Sequence, residues 1–303
     1  MSRYSGIWPV APTPFNDDGT VDYDGMKRVI DCMVDQGNDG ICLLANFSEQ
    51  FLITDEERRK LTELSLKHMD GRLPVIVTMS HYATPIAVER AQHAKDHGAA
   101  MVMMMPPYHG ATLKGNAEQT FEQFKRVGDV GLPIMVQDAP LSGVDLPVSL
   151  LVRMAREMEM VKLFKIECPQ AAAKLRELIA QGGDAIEGPF DGEEAITLLA
   201  DLEAGATGSM TSAMIPDQIK PVLDHMAKGD IEAATAAYAR VLPAVNHENR
   251  QGGFRSAKAA MVEGGVIRSE FCRHPIMPLH SQTREALLRL IRPLEPVVLN
   301  WGK

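Results

Sequence analysis

One lysine lies where a chemical role would need it. Lys165 follows Val161–Phe164, an otherwise apolar run, and the two-residue repeat of a β-strand puts it on the face of Leu163, with Lys162 on the opposite face at the start of the strand. Burial in an apolar wall disfavours the charged ammonium and lowers the pKa of a lysine. A neutral amine is the nucleophile that forms a Schiff base with a carbonyl substrate. The alternative is a structural role, in which Lys165 pairs with Glu167 or Asp138 at the strand end.

The elements that would position Lys165 are short apolar runs that alternate with amphipathic helices. We expect strands at Ile7–Val10, Gly40–Leu44, Val75–Thr78, Met101–Met104, Ile134–Gln137, Val161–Lys165, Ala185–Glu187 and Thr207–Met210. This alternation indicates parallel strands with helical crossovers, and eight such strands close into a barrel. An open doubly wound sheet is the alternative. The sequence, however, has neither the GxGxxG nor the Walker pattern of nucleotide-binding sheets.

The strand pattern stops after residue 210. The rest of the chain predicts helices at Pro216–Lys228, Ile231–His247, Arg255–Glu263 and Gln282–Ile291. The sequence therefore predicts the α/β class, with a (β/α)8 TIM barrel over residues 1–228 and a C-terminal helical extension over residues 229–303.

Barrel enzymes carry their working residues at the carboxyl ends of the strands. At the predicted ends this chain offers Asn46, Phe47, Ser48, His81, Tyr108, His109, Gln137, Asp138 and Glu187. Acidic residues also cluster after the seventh strand, at Glu187, Asp191, Glu193 and Glu194. Because many barrels bind phosphate at this position and carboxylates repel it, we expect a substrate without a phosphate group.

Composition excludes several classes of partner. The chain has 31 Lys and Arg against 40 Asp and Glu, a net charge of −9, which argues against nucleic acid and anionic membranes as partners. The four cysteines have no metal-binding spacing, so we expect a reducing compartment, no metal and no cofactor. No apolar run reaches the ~18 residues of a membrane span, and prolines break the apolar stretch near the N-terminus. A cytoplasmic enzyme of small molecules is the expectation.

Three segments carry a resemblance to a known family. GIWPVAPTPF, PIMVQDAP and LFKIE lie where the dihydrodipicolinate synthase and N-acetylneuraminate lyase family has its corresponding segments. The chain resembles these class I Schiff-base barrels over roughly residues 6–215. The resemblance implies that Lys165 is the Schiff-base lysine.

Two departures from the family pattern concern proton transfer. The family's GTTGE or GSTGE turn reads ANFSE here, at residues 45–49. In the family this turn binds the carboxylate of a 2-oxo acid mainly through backbone N–H groups, which Asn46, Phe47 and Ser48 still provide. Phe47, however, replaces the threonine of the family's proton relay. Gln137, which cannot titrate, replaces its tyrosine.

A subgroup of the family matches these departures. ANFSEQF, PIMVQDAP, FKIE, GGDAIEGPFDGEEAITLLADL and NHENRQ closely resemble the L-2-keto-3-deoxyarabonate dehydratases. The resemblance implies removal of water from this acid to give 2,5-dioxopentanoate. An aldolase that cleaves the same acid to pyruvate and glycolaldehyde is the first alternative. A non-catalytic homologue that binds a 2-oxo acid is the second.

The remaining site residues take their expected roles from this reaction. His81, Tyr108 and His109 are candidates for proton transfer, although either histidine could instead only hydrogen-bond its own loop. Tyr108 is also a candidate to complete a neighbouring subunit's pocket. We expect Gln137 and Asp138 to orient substrate hydroxyls, with Glu187 near the pocket mouth. By analogy with the family, the chain should form a homo-oligomer, either a dimer or a homotetramer.

Overall fold

The computed structural model describes residues 4–303. The strands in this part of the chain are β1 (Gly6–Ile7), β2 (Ile41–Leu43), β3 (Val75–Thr78), β4 (Met101–Met104), β5 (Tyr108–His109), β6 (Leu113–Lys114), β7 (Ile134–Asp138), β8 (Val161–Ile166), β9 (Gly188–Asp191) and β10 (Gly208–Ser209). The helices are α1 (Tyr23–Asp35), α2 (Asp55–Met69), α3 (Thr84–Asp96), α4 (Ala117–Gly128), α5 (Val148–Glu157), α6 (Ala171–Gly182), α7 (Leu198–Glu203), α8 (Pro216–Ala227), α9 (Ile231–His247), α10 (Arg255–Glu263) and α11 (Ser281–Ile291).

The described chain forms two compact units. The first comprises residues 4–5, 75–193 and 197–210, and the second comprises residues 6–74, 194–196 and 211–303. The predicted boundary at residue 228 remains a prediction. No helix within residues 4–303 combines the length and apolar character needed to cross a membrane.

The first unit is built on six parallel strands. They pair in the order β3, β4, β7, β8, β9, β10, and helices α3 to α7 lie along the chain between or beside them. Every residue of β3, β4, β7 and β9 is buried, as expected for parallel strands covered on both faces. The separate hairpin of β5 and β6 follows β4 and pairs antiparallel.

A register shift in β8 separates its two lysines. Ile134 pairs with Val161 but Met135 pairs with Leu163, so Lys162 is an extra residue on its strand. Lys162 is half-buried, and its Nζ donates a hydrogen bond to the carbonyl oxygen of Ala155 on α5, at 3.1 Å. Lys162 therefore contributes to the amino end of the strand, as the sequence predicts.

One predicted strand is wrong. Residues 183–185 form a single 310 turn, and the strand begins later, at Gly188. Glycine, proline and aspartate are poor strand formers, which hid β9 from a propensity argument. The position needs glycine because a Cβ on Gly188 would lie 2.9 Å from Cδ2 of Leu163. Packing against the neighbouring strand thus overrides local preference.

The second unit carries two short strands and most of the C-terminal helices. Val10 bridges in parallel to both Cys42 and Ser212, and its N–H donates to the carbonyl oxygen of Thr211 at 2.7 Å. Helices α8 to α11 match the four that the sequence predicts after residue 210, within one residue at every end.

Candidate active site

The candidate site centres on Lys165, near the carboxyl end of β8. Its partners in register are Gln137 on β7 and Phe190 on β9. The Lys165 side chain is 3% exposed, so the predicted burial at a strand end is confirmed.

Glu167 and Gln137 meet at the lysine. Glu167 follows Lys165 by two residues, and its Oε1 forms an ion pair with Lys165 Nζ. Gln137 Nε2 donates a hydrogen bond to the same Oε1 at 2.8 Å. Two neighbouring strands thereby bring together an amine, a carboxylate and a neutral amide. This set can supply a nucleophile, a proton-transferring group and an orienting donor.

The backbone of Gly192 closes one side of this cluster. A Cβ at Gly192 would lie 2.6 Å from Cγ of Glu167 and 2.8 Å from Cγ of Lys165. The Gly192 N–H donates to the carbonyl oxygen of Ile166 at 3.1 Å, which holds this close approach. Only glycine leaves both side chains in their present positions.

A buried carboxyl pair lies beside the cluster. Asp191, at the end of β9, is fully buried, and Ser209 Oγ donates to its Oδ2 at 2.5 Å. Burial raises the pKa of Asp191, and the nearby Asp201 raises it further. Asp201 is also buried, and Thr197 Oγ1 donates to its Oδ2 at 2.6 Å. Asp191 is therefore part of the core, which corrects the expectation that it adds an open charge to an acidic cluster.

Asp138 takes part in a different contact from its neighbour Gln137. Its Oδ2 pairs with Lys174 Nζ on α6 at 2.7 Å. Burial raises the pKa of Asp138, and the hydrogen bond from Lys174 opposes that rise. Successive residues of a strand point to opposite faces, which accounts for the two environments. Of the two partners considered for Lys165, Glu167 and Asp138, the structure shows an ion pair with Glu167.

The loops after β3 and β4 hold the predicted proton-transfer candidates. The Ala83 N–H donates to His81 Nδ1 at 3.0 Å, and Gln123 Nε2 donates to the His81 carbonyl oxygen at 3.2 Å. Tyr108 is half-buried in the hairpin, and burial raises the pKa of its phenol. His109 is exposed, with its ring 6.4 Å from that of Tyr82.

The turn that the sequence assigns to carboxylate binding lies in the second unit. Asn46–Ser48 form one 310 turn, and Ser48 Oγ accepts from the Ala45 N–H at 3.1 Å while donating to the Ala11 carbonyl oxygen at 2.6 Å. The Phe47 ring packs edge-on at 6.3 Å from Phe254. These contacts fix the backbone of the turn.

Glu187 lies at the opposite end of its strand from the predicted one. Because β9 begins at Gly188, Glu187 precedes the strand, is exposed, and donates its N–H to the carbonyl oxygen of Lys162 at 3.2 Å. The expectation that it ends a strand at the pocket mouth is wrong, and the misplaced strand is the cause.

Comparison with known proteins agrees with this architecture. A profile of the dihydrodipicolinate synthetase family matches residues 3–294. The chain belongs to this family. The resemblance to this family that segments such as LFKIE indicate is thereby confirmed.

Relatives within the dihydrodipicolinate synthetase family cover nearly the whole chain. An L-2-keto-3-deoxyarabonate dehydratase of Azospirillum brasilense is 58% identical over 99% of this chain and 97% of its own. A 4-hydroxy-tetrahydrodipicolinate synthase of Gluconacetobacter diazotrophicus is 30% identical over 93% of this chain and 94% of its own.

A solved structure gives the fold. A crystal structure from Pseudomonas aeruginosa, provisionally assigned as a dihydrodipicolinate synthetase, is 28% identical with a TM-score of 0.90, and the match covers 96% of this chain and 99% of that one. The predicted (β/α)8 barrel with C-terminal helices is confirmed.

Sequence reasoning missed two residues of the cluster as functional candidates. The sequence indicates Glu167 only as a structural partner of Lys165, although the two-residue strand repeat puts both on one face. Gly192 has no local signal, because a glycine after a strand looks like any loop residue. Only the approach of its backbone to two side chains reveals it.

Proposed function

We propose that the chain is a Schiff-base hydro-lyase that converts L-2-keto-3-deoxyarabonate to 2,5-dioxopentanoate. The observation that carries this proposal is the buried contact of Lys165 with a glutamate that Gln137 also holds. The 58% identity to a dehydratase of that name supports the choice of substrate.

The reaction begins at the lysine amine. Glu167 accepts a proton from Lys165, and the neutral amine attacks carbon 2 of the acid. Glu167 returns that proton to the former carbonyl oxygen, which leaves as water, and the resulting iminium withdraws electrons and makes the protons on carbon 3 acidic. Burial of Lys165 supports this step because apolar surroundings disfavour the charged ammonium.

Elimination follows by two proton transfers. Glu167 takes a proton from carbon 3 to give an enamine and returns it to the hydroxyl on carbon 4, which leaves as water. General acid–base help of this kind supplies about 10²–10⁴-fold in rate. A proton then moves from carbon 5 to carbon 3, which gives an enol that becomes the aldehyde. Hydrolysis of the iminium releases 2,5-dioxopentanoate and restores Lys165.

The amide at position 137 favours elimination over carbon–carbon cleavage. Cleavage must take the proton from the carbon-4 hydroxyl, and the Gln137 amide cannot accept one. The same amide can donate a hydrogen bond, and in the structure it does so to Glu167. Gln137 therefore holds the Glu167 carboxylate without taking a proton itself, and this arrangement suits departure of the carbon-4 hydroxyl as water.

Other residues take binding roles in this proposal. We assign the substrate carboxylate to the backbone N–H groups of the Asn46–Ser48 turn, on the basis of the family resemblance. His81 and Tyr108 remain candidates for contact with the substrate hydroxyls. The ion pair of Asp138 with Lys174 makes Asp138 a supporting residue of the strand end.

Assembly and location complete the proposal. We propose a homo-oligomer, dimer or tetramer, in the cytoplasm. All four cysteines are free, and three of them are buried, which suits a reducing compartment. Light scattering that gives only a 33.2 kDa monomer at working concentration would contradict the assembly.

Product analysis tests the reaction. Proton NMR of L-2-keto-3-deoxyarabonate with the protein in deuterium oxide should show 2,5-dioxopentanoate, carrying deuterium taken up from the solvent, and little pyruvate. A semialdehyde dehydrogenase couple checks the product independently. Stoichiometric pyruvate and glycolaldehyde would instead establish the aldolase. No turnover of any 2-keto-3-deoxy acid would favour the binding homologue.

A further inference from the structure

A second buried lysine–glutamate pair lies in the second unit. The side chains of Glu49 and Lys258 are both 0% exposed and form an ion pair. Lys258 Nζ also donates to the carbonyl oxygen of Phe271 at 2.9 Å and lies 4.5 Å from the centre of the Phe15 ring. Burial raises the pKa of Glu49, and Lys258 opposes that rise. The proposed reaction uses neither residue.

The backbone of Glu49 connects this ion pair to the Asn46–Ser48 turn. Glu49 ends the Asn46–Ser48 turn and begins the turn Gln50–Leu52, at φ 58° and ψ 37°. Leu44, on the other side of the first turn, has φ 58° as well. Residues other than glycine stay in this left-handed region only where their surroundings hold them. The Glu49 side chain is held by α10 through Lys258.

A second ion pair joins Arg273 to Glu57. Arg273 Nη1 donates to Glu57 Oε2 at 2.7 Å and to the Leu52 carbonyl oxygen at the same distance. Its side chain is 19% exposed and that of Glu57 is 21% exposed. Glu57 lies on α2, beyond the second turn, so this pair serves as a matched control.

We propose that Glu49 and Lys258 are positioning residues that fix the backbone of the Asn46–Ser48 turn for the carboxylate of a 2-oxo acid. This inference rests on the proposed function, which assigns the carboxylate to that turn. Removing one member of a fully buried pair leaves an uncompensated charge, which the surroundings relieve by moving or by admitting water. Because Glu49 is continuous with the turn, that relaxation misaligns its N–H donors.

Two small carbonyl compounds separate positioning from a merely structural role. Pyruvate carries both a carbonyl and a carboxylate, whereas acetaldehyde carries the carbonyl alone. Borohydride trapping on Lys165, read by peptide mass, measures the half-labelling concentration of each. For Glu49→Gln, we expect that concentration to rise about tenfold for pyruvate, the loss expected when hydrogen bonds to a charged group are misaligned. It should stay within about twofold for acetaldehyde, because an amide donor set plays no part in binding an aldehyde alone.

The double variant E49Q/K258M guards against a folding defect. It removes both charges together and keeps similar volume, which restores stability where a single change does not. The pyruvate effect should persist in it, because the link that holds the turn is gone. In the control Glu57→Gln, the pyruvate value should stay within about twofold, since a partly exposed pair contributes little.

The outcomes discriminate between the two proposals. An unchanged pyruvate value in Glu49→Gln, an equal rise for acetaldehyde, or an equal rise in Glu57→Gln would overturn the positioning role while leaving the reaction intact. Failure of pyruvate to label Lys165 in the unaltered protein would refute the proposed function itself, and the positioning role with it.

Discussion

A lysine–glutamate pair with a buried lysine lies in each of the two units, and the two pairs are built differently. Lys165 and Glu167 are two residues apart on one strand, and the glutamate accepts a further hydrogen bond from Gln137. Glu49 and Lys258 come from distant parts of the chain, and here the lysine makes the further contact, with the Phe271 carbonyl oxygen. A third group holds the carboxylate in the first pair and the ammonium in the second.

This difference bears on the role proposed for Lys165. An ammonium that donates to a backbone carbonyl loses that hydrogen bond if its nitrogen becomes an imine. A carboxylate held by an amide keeps its place when the neighbouring amine reacts. The hydrogen bond of Gln137 to Glu167 is therefore compatible with covalent chemistry at Lys165, whereas the hydrogen bond of Lys258 to Phe271 opposes it at Lys258.

The largest expected effect comes from replacing each lysine in turn. Lys165→Met should lower turnover by more than about 10⁴-fold with little change in stability, because the nucleophile is lost but Gln137 still donates to Glu167. Lys258→Met should cost about 3–5 kcal/mol in the free energy of unfolding, because Glu49 is left buried and unpaired. Steady-state kinetics and urea unfolding measure the two effects. The comparison fails if Lys165→Met keeps a hundredth of the activity.

The next largest effect is expected from replacing Glu167. Glu167→Gln should lower kcat by about 10²–10⁴-fold, because the group that moves protons is gone. Trapping of pyruvate on Lys165 should become slower but still occur, because Glu167 accepts the amine proton without being the nucleophile. Single-turnover kinetics and peptide mass follow the two properties. Complete loss of trapping would instead show that the imine on Lys165 cannot form without Glu167.

A smaller effect is expected from the backbone beside the first pair. Gly192→Ala should lower kcat about 10²-fold, because the added Cβ displaces Lys165 and Glu167 by about 1 Å. Gly128→Ala on α4 is the matched control, since its Cβ would meet only ordinary contacts at 3.8 and 4.0 Å. Equal kinetics for the two variants would show that the close approach does not matter.

An effect that depends on pH is expected at a buried glutamate without a lysine partner. Burial raises the pKa of Glu248 to about 8, with a hydrogen bond from Ser212 opposing the rise. The folded state therefore holds a proton that the unfolded chain releases above about pH 4.5, so stability falls as pH rises toward 8.

Glu248→Gln removes that dependence. The variant and the parent should have similar unfolding free energies near pH 5, and the variant should gain about 1.4 kcal/mol per pH unit up to pH 8. Urea unfolding at several pH values measures the difference. A gain that is constant with pH would show that Glu248 does not titrate in this range.

The sequence anticipates features that depend on local repeats. The apolar run ending in Lys165 and the helices after residue 210 follow from periodicity, and both are found. The strand β9 was misplaced because its Gly-Pro-Phe-Asp sequence forms a strand only through packing on Leu163. The pairing of Glu49 with Lys258 has no local signal either, since nothing in the sequence joins two residues so far apart.

The hydrogen bond between Gln137 and Glu167 also bears on how such a site changes over evolutionary time. A tyrosine introduced at position 137 alone removes the amide that donates to the Glu167 carboxylate at 2.8 Å. A carboxylate that loses its donor is destabilised, so the single replacement is disfavoured unless the tyrosine hydroxyl donates in place of the amide. The two positions are therefore epistatic. A lineage passes between elimination and carbon–carbon cleavage most readily when residues 137 and 167 change together.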